Sequence, residues 1–285
     1  MELRDLEIKQ RNDSAMKAIE KYGTELWHYT DFNALNGILN EKKIWFGSTA
    51  SMNDKDELSG FIKDLKSVVL SEINNENVSK AEGIFERIQK RLLVEYPYIF
   101  CVTRAQNDAA QWDRYAYGGT GVAIVFDTEL LYKLIYYNRF IMNEEYYGYN
   151  AKQHKMKTLL VDYIQENRLE EFSDIEGLID NLLLCAMIHK HESFSAEQEV
   201  RLSPYFIKND DPHLEYRVTG TIRRVYVVNL DKLCKKEDMG LEDLIKAIVI
   251  GPKSKQNIED LKWYLNKINL PRLADKVRKS DCPLR

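Results

Sequence analysis

The chain has 285 residues, is 44% hydrophobic, and carries a formal net charge of −4 from 41 Lys and Arg against 45 Asp and Glu. That length supports one large domain or two small ones with a buried core, and the interspersed signs announce neither a nucleic-acid tail nor a polybasic membrane patch. No apolar run reaches the roughly 18 residues of a spanning helix, and Cys101, Cys185, Cys234 and Cys282 form no C-x-x-C pair, which reads as reduced thiols rather than a disulfide framework.

The N-terminal stretch MELRDLEIKQRND is charged from its second residue, so no secretory signal is expected and the location expected is cytoplasmic. Residues 3–22 read as an amphipathic helix, and LWHY at 26–29 as a short strand. Asp31 caps a helix carrying Phe32, Leu35, Ile38 and Leu39 at helical spacing. KKIWFGS is a second strand, and SMNDKDEL a turn and cap before a helix through Val69. Residues 78–94 form a further helix, YPYIFCVTR a strand beginning after Pro97, and NDAAQWDRYA a short helix capped near Asn107 or Asp108. GGTG leads into the wholly apolar VAIVFD, as a central strand would. Helices are expected at 155–168 and 175–191, then strands at 198–207, 214–218, 222–229 and 246–250. A helix at 255–267 and a strand near 274–279 close the chain.

Single strands among helices in the first half, and strands together in the second, predict an α+β fold with a mixed, largely antiparallel sheet. GGTG precedes a strand and lacks G-x-G-x-x-G spacing, so it is no dinucleotide fingerprint.

Four places offer chemistry. His28 and Thr30 share one face of their strand and Trp27 and Tyr29 the other; the imidazole either meets a ligand or is satisfied at a strand end. Ser48, Thr49, Ser51, Asn53 and Asp54 suit a polar ligand or a turn with a cap. Gln111, Trp112 and Tyr115 lie on one short helix, as a stacking platform or as core. Cys185 and His189 have the i, i+4 spacing of two ligands on a helix, with His191 and Glu192 beyond, but no further ligand is nominated and no metal is expected.

The densest stretch is HKHESFSAEQEVRL, residues 189–202. In extended chain Glu197, Glu199 and Arg201 project together while Val200 and Leu202 face a core. That pattern is either a solvated edge or a carboxylate pair that stabilises positive charge on a sugar carbon or accepts a ribose hydroxyl, as in glycoside cleavage. Arg201 then keeps the pair ionised.

LWHYTDFNALNGIL, FGSTASMNDKDEL, YIFCVTRAQND, QWDRYAYGGTGVAIVFD, FSAEQEVRL, IVIGPK and SDCPLR occur in this order. Together, from about Trp27 to Arg285, they look like a bacterial domain family of unknown function met in mobile and defence loci, which in turn resembles the ADP-ribosyltransferase superfamily. The resemblance implies a split antiparallel sheet; with the N-terminal helix at 1–24, and a helical insertion at 128–192 that lies outside the superfamily pattern, the chain reads as one domain over 1–285. It implies an NAD-dependent transferase, a toxin or phage-defence effector, that cleaves the nicotinamide–ribose bond and passes ADP-ribose to a protein, a nucleic acid or water. NAD is then the substrate, with no metal and no membrane, and a protein partner or a homo-oligomer is expected.

In that scheme Glu199 stabilises the oxocarbenium-like state, Glu197 polarises the acceptor, and His28 orients NAD. Tyr29, Thr30, Ser48, Asn53, Trp112, Tyr115 and Arg201 complete the cofactor contacts. GSTAS departs from a clean S-T-S. The scheme requires His28 and Glu199 to line one pocket with Ser48 near. A silent nucleotide-sensing module and a metal-dependent nuclease using Glu197 and Glu199 are the alternatives.

Overall fold

The structure is a computed structural model describing residues 3–49, 57–138, 140–148, 151–168, 174–218 and 221–284. In chain order the first half runs α1 (Leu3–Tyr22), β1 (Glu25–Thr30), α2 (Phe32–Leu39), β2 (Lys43–Ser48), α3 (Glu57–Glu72), α4 (Val78–Val94), β3 (Glu95–Thr103), α5 (Ala109–Tyr115), β4 (Val122–Asp127) and α6 (Thr128–Tyr137). Then follow β5 (Ile141–Glu144), β6 (Tyr146–Tyr147), α7 (Ala151–Glu166), α8 (Ile175–Met187), β7 (His189–Lys190), β8 (Glu199–Ser203), β9 (Phe206–Lys208), β10 (Leu214–Val218) and β11 (Ile222–Asn229). The end of the chain gives α9 (Leu230–Lys236), α10 (Leu241–Leu244), β12 (Ile245–Ile250), α11 (Ile258–Lys267), α12 (Pro271–Ala274) and β13 (Val277–Lys279).

Local chemistry sets several boundaries. Asp31, Asp108, Asp127 and Asn257 each cap a helix by accepting a backbone N–H of its first turn. Gly118 and Gly119 adopt φ of 66° and 84°, so the glycine-rich segment is a turn feeding β4, as the sequence predicts. The single strand expected over 198–207 is interrupted at Pro204 and Tyr205, the latter left-handed at φ 69°, which yields β8 and β9.

The main sheet is mixed and largely antiparallel, in the order β10-β11-β2-β3-β1-β4-β12-β13, with β5 and β8 stacked beyond one half of β3 and β9 beside the other. Among the described residues only β13 runs parallel to its neighbour in this sheet. The expected insertion at 128–192 is not purely helical, because β5 inside it pairs with β8.

Two faces of this sheet matter for the site. Leu26, Ile124, Phe126, Phe100, Val102, Val200 and Leu202 belong to one large apolar cluster, joined by residues of α1, α2, α6 and α11. Trp27, Tyr29, Ala123, Val125 and Val249 point the other way and pack against Trp112 of α5. A second apolar cluster joins α3, α4, α7 and α8. Among the described residues no helix is long and apolar enough to cross a membrane.

Candidate functional site

The solvated-edge reading of Glu197 and Glu199 fails. β8 lies between β3 and β5, every residue of it is buried, and Glu197 and Glu199 are 3% and 7% exposed. Val200 and Leu202 enter the apolar core, as alternation predicts. Glu199 and Arg201 therefore point to the opposite face, where they meet charge.

The charged cluster is organised by two cations. Lys190 Nζ lies 2.7 Å from Glu197 and 2.6 Å from Glu199, with Glu145 at 3.6 Å. Arg201 contacts Glu199 through Nε at 3.2 Å, pairs with Glu145 through Nη2, and donates Nη1 to the Met187 carbonyl at 2.6 Å. Arg114 of α5 closes the outer end, 2.9 Å from Glu197, and Tyr115 donates its hydroxyl to the same carboxylate oxygen at 2.8 Å. Tyr147 accepts the Glu199 backbone N–H. Three carboxylates thus face three cations, and the Arg114 side chain, 48% exposed, links the cluster to solvent.

Burial alone would raise the carboxyl pKa of Glu199; Arg201 and Lys190 outweigh it and hold it down to about 2. Burial likewise works to lower Lys190, but Glu199 and Glu145 overcome it and raise its pKa. The Cys101 thiol beside them is pushed well up, first by burial and then by Glu199. Glu199 and Lys190 are therefore both ionised at neutral pH.

The backbone that presents the two glutamates is held by several contacts. Gln198, between them, takes φ 45°, a left-handed conformation rare outside glycine. Thr103 donates its hydroxyl to Glu197 O at 2.6 Å, Gln111 donates its amide to the same oxygen at 3.2 Å, and Arg104 N–H donates to Gln198 O at 3.1 Å.

His28 does not join them. Trp27 stands opposite Thr103, and Thr103 opposite Glu199, so Trp27 and Glu199 share a face and His28 takes the other. Its ring lies 4.3 Å from that of Phe100, and Nδ1 bonds Cys101 O at 2.8 Å. Burial pushes its pKa down to about 4, so it is neutral. The sequence places His28 on a strand correctly, but strand parity across two ladders separates it from Glu199. Ser48, opposite Tyr98, and Thr30 share the His28 face. Ser48 is 2% exposed.

The aromatic contacts divide too. Tyr29 is buried, donating its hydroxyl to Ala105 O and accepting the Asp108 N–H. Trp112 is fully buried, edge-on to Tyr29 at 4.9 Å, with its indole N–H on Asn107. Both are core, and of this group Tyr115 alone reaches the carboxylates. Asn53 lies outside the described residues. Cys185 and His189 are not on one helix, since α8 ends at Met187 and His189 opens β7. No group of three or more His, Cys, Asp or Glu suited to a metal ion occurs among the described residues.

Sequence reasoning missed Lys190, Glu145, Arg114 and Tyr147. Lys190 stands inside the stretch that drew attention, but its position depends on the 3₁₀ turn Glu192–Glu197 folding the chain back on itself. Glu145 and Tyr147 are brought in by the pairing of β5 with β8 and of β6 with β7, which no local pattern signals.

Over residues 111–202 the chain is similar to a family described as a protein of unknown function (DUF2971). That span is less than half of the chain, yet it contains every charged member of the cluster. No curated protein matches the chain. No solved structure matches it either.

Proposed function

We propose that the chain is a non-catalytic nucleotide-sensing module that acts through a partner, with an anionic nucleotide docking at the Arg114–Tyr115 end of the cluster. One observation carries the reading: a single ammonium, Lys190, is bonded to both Glu197 and Glu199. A carboxylate that stabilises positive charge on a ribose carbon acts through its own negative charge. Here that charge is already matched by Lys190 and Arg201. The planar guanidinium of Arg114 suits a phosphate, and the Tyr115 ring beside it offers an aromatic surface. A phosphate taking Arg114 from Glu197 would unbalance the buried charges and transmit binding inward. The nucleotide class itself comes from the resemblance to the ADP-ribosyltransferase superfamily, without the role it implied for His28.

A second reading, the NAD-cleaving transferase, is favoured by Gln198. Left-handed non-glycine residues collect at working sites, where surrounding structure holds the strain, and this one sits between the two glutamates. That reading requires a bound substrate to draw Lys190 away from Glu199, and it must dispense with the role given to His28, which faces the other side of the sheet. The nuclease reading is disfavoured because Lys190 occupies the space between the carboxylates where a divalent ion would bind.

The test is calorimetric titration with NAD, ADP-ribose and ATP, with nicotinamide release followed in parallel, with and without magnesium. Sensing predicts binding without release, lost in Arg114→Ala. Transfer predicts metal-independent release, lost in Glu199→Gln. Absence of binding by all three nucleotides overturns the first reading.

A further inference from the structure

The far end of the sheet carries a different feature. β10 is the terminal strand, and among the described residues no strand pairs with its outer edge. It is followed through a hairpin by β11, with Tyr216 opposite Arg224 and Val218 opposite Ile222. Tyr216, Val218 and Ile222 are 75%, 66% and 77% exposed. Strand parity puts all three on one face, while Glu215 and Arg217 share the other. An open apolar edge is a liability that soluble chains ordinarily blunt or cover.

The hydrogen-bond phase of this edge follows from its inner ladder. Val227 N–H donates to His213 O at 2.9 Å. Antiparallel ladders alternate bonded and non-bonded pairs, so positions 213, 215 and 217 bond inwards to β11. Tyr216 and Val218 therefore aim their N–H and C=O groups outwards, as Leu214 does its C=O, while the Leu214 N–H is taken by Asp211 O at 3.1 Å.

We infer that β10 is a self-association edge, pairing antiparallel with β10 of a second copy about a two-fold axis at Tyr216. The sequence LEYRV is self-complementary in that register. Tyr216 meets its own counterpart, Leu214 meets the second copy's Val218, and Glu215 meets the second copy's Arg217. Tyr216 and its counterpart fall on a bonded pair and exchange both backbone hydrogen bonds, and each Val218 N–H donates to the second copy's Leu214 C=O, the Leu214 N–H being already held by Asp211. An isologous contact of this kind closes as a dimer and does not propagate. Arg217 is already ordered by its stack over Trp45, 4.2 Å from the ring centroid, and Glu215 by Lys43 at 3.4 Å. An unrelated partner strand would need a matching alternation of its own, whereas this chain carries it. Five residues a side make a small interface, so the dimer is weak, with a dissociation constant on the order of 10–100 μM.

Sedimentation velocity on the full chain from roughly 1 μM to 1 mM tests the inference across that range. The wild type passes from monomer to dimer as concentration rises. Glu215→Arg and Arg217→Glu, each shown to be folded by its melting curve, stay monomeric because like charges then face each other. Mixing the two variants in equal amounts restores the dimer, since every 215–217 pair in the mixed species joins opposite signs. A wild type monomeric throughout, single variants that dimerise as the wild type does, or a folded mixture that fails to recover would each overturn it.

Discussion

The two faces of β8 behave as two different solvents. Val200 and Leu202 enter an aliphatic and aromatic core that also receives His28, kept neutral. One residue away, Glu199 and Arg201 are as deeply buried, yet both are charged and every charge near them is matched. The apolar face gains stability from area removed from water. The charged face recovers the cost of desolvation only while its pairing stays complete. Damage should therefore be graded on one face and abrupt on the other.

Adjacent residues of β8 give the sharpest contrast. Arg201→Met strands Glu145 and Glu199 with one less cation, and should cost about 3–5 kcal/mol. Leu202→Ala on the opposite face should cost about 2–5 kcal/mol through transfer and cavity effects. The two differ in rescue. Adding Glu145→Gln and Glu199→Gln to Arg201→Met should recover much of the loss, whereas nothing on the charged face should rescue Leu202→Ala. Denaturant unfolding of the set decides, and a failure of the triple variant to recover would mean that Arg201 stabilises mainly by packing.

Glu199→Gln alone keeps shape but removes one charge that two cations share. A loss of about 1.5–3 kcal/mol is expected, measurable as a lower melting temperature at pH 7. An unchanged melting temperature would mean that the pairing contributes little.

The pH response separates the faces by sign and window. Glu199 has a depressed pKa, so its stabilisation is present above the ordinary carboxylate value of 4.5 and is lost as pH falls through about 2. His28 is also depressed, from 6.5 to about 4, so its contribution fades earlier, between those two values. His28→Leu should flatten stability between pH 6.5 and 4, and Glu199→Gln should flatten it below 4.5. Stability of the wild type followed by urea midpoints against pH should therefore show two separable declines.

Arg114→Ala should have the smallest effect on folding, within about 1 kcal/mol, because that guanidinium is half exposed and screened by water. If Arg114 is the docking point for an anionic ligand, nucleotide affinity should fall while the melting temperature hardly moves. A large stability loss would instead make Arg114 a structural member of the buried cluster.

The sequence by itself determined the fold class, most element positions and the orientation of individual strands. Those properties follow from short-range periodicity and capping: alternation in EVRL, helical spacing after Asp31, glycines before VAIVFD. It also identified the stretch where carboxylates gather and predicted that Glu199 and Arg201 would share a face. Only the tertiary structure decided what those groups meet. Whether His28 and Glu199 face each other depends on the parity of two ladders through Thr103, a matter of register between strands far apart in the chain. Whether the glutamates are bare or neutralised depends on Lys190, returned to them by a 3₁₀ turn, and on Glu145, brought by pairing of β5 with β8. Local pattern fixes which way a side chain points along its own strand, but the chemistry at its tip belongs to neighbours chosen by long-range pairing.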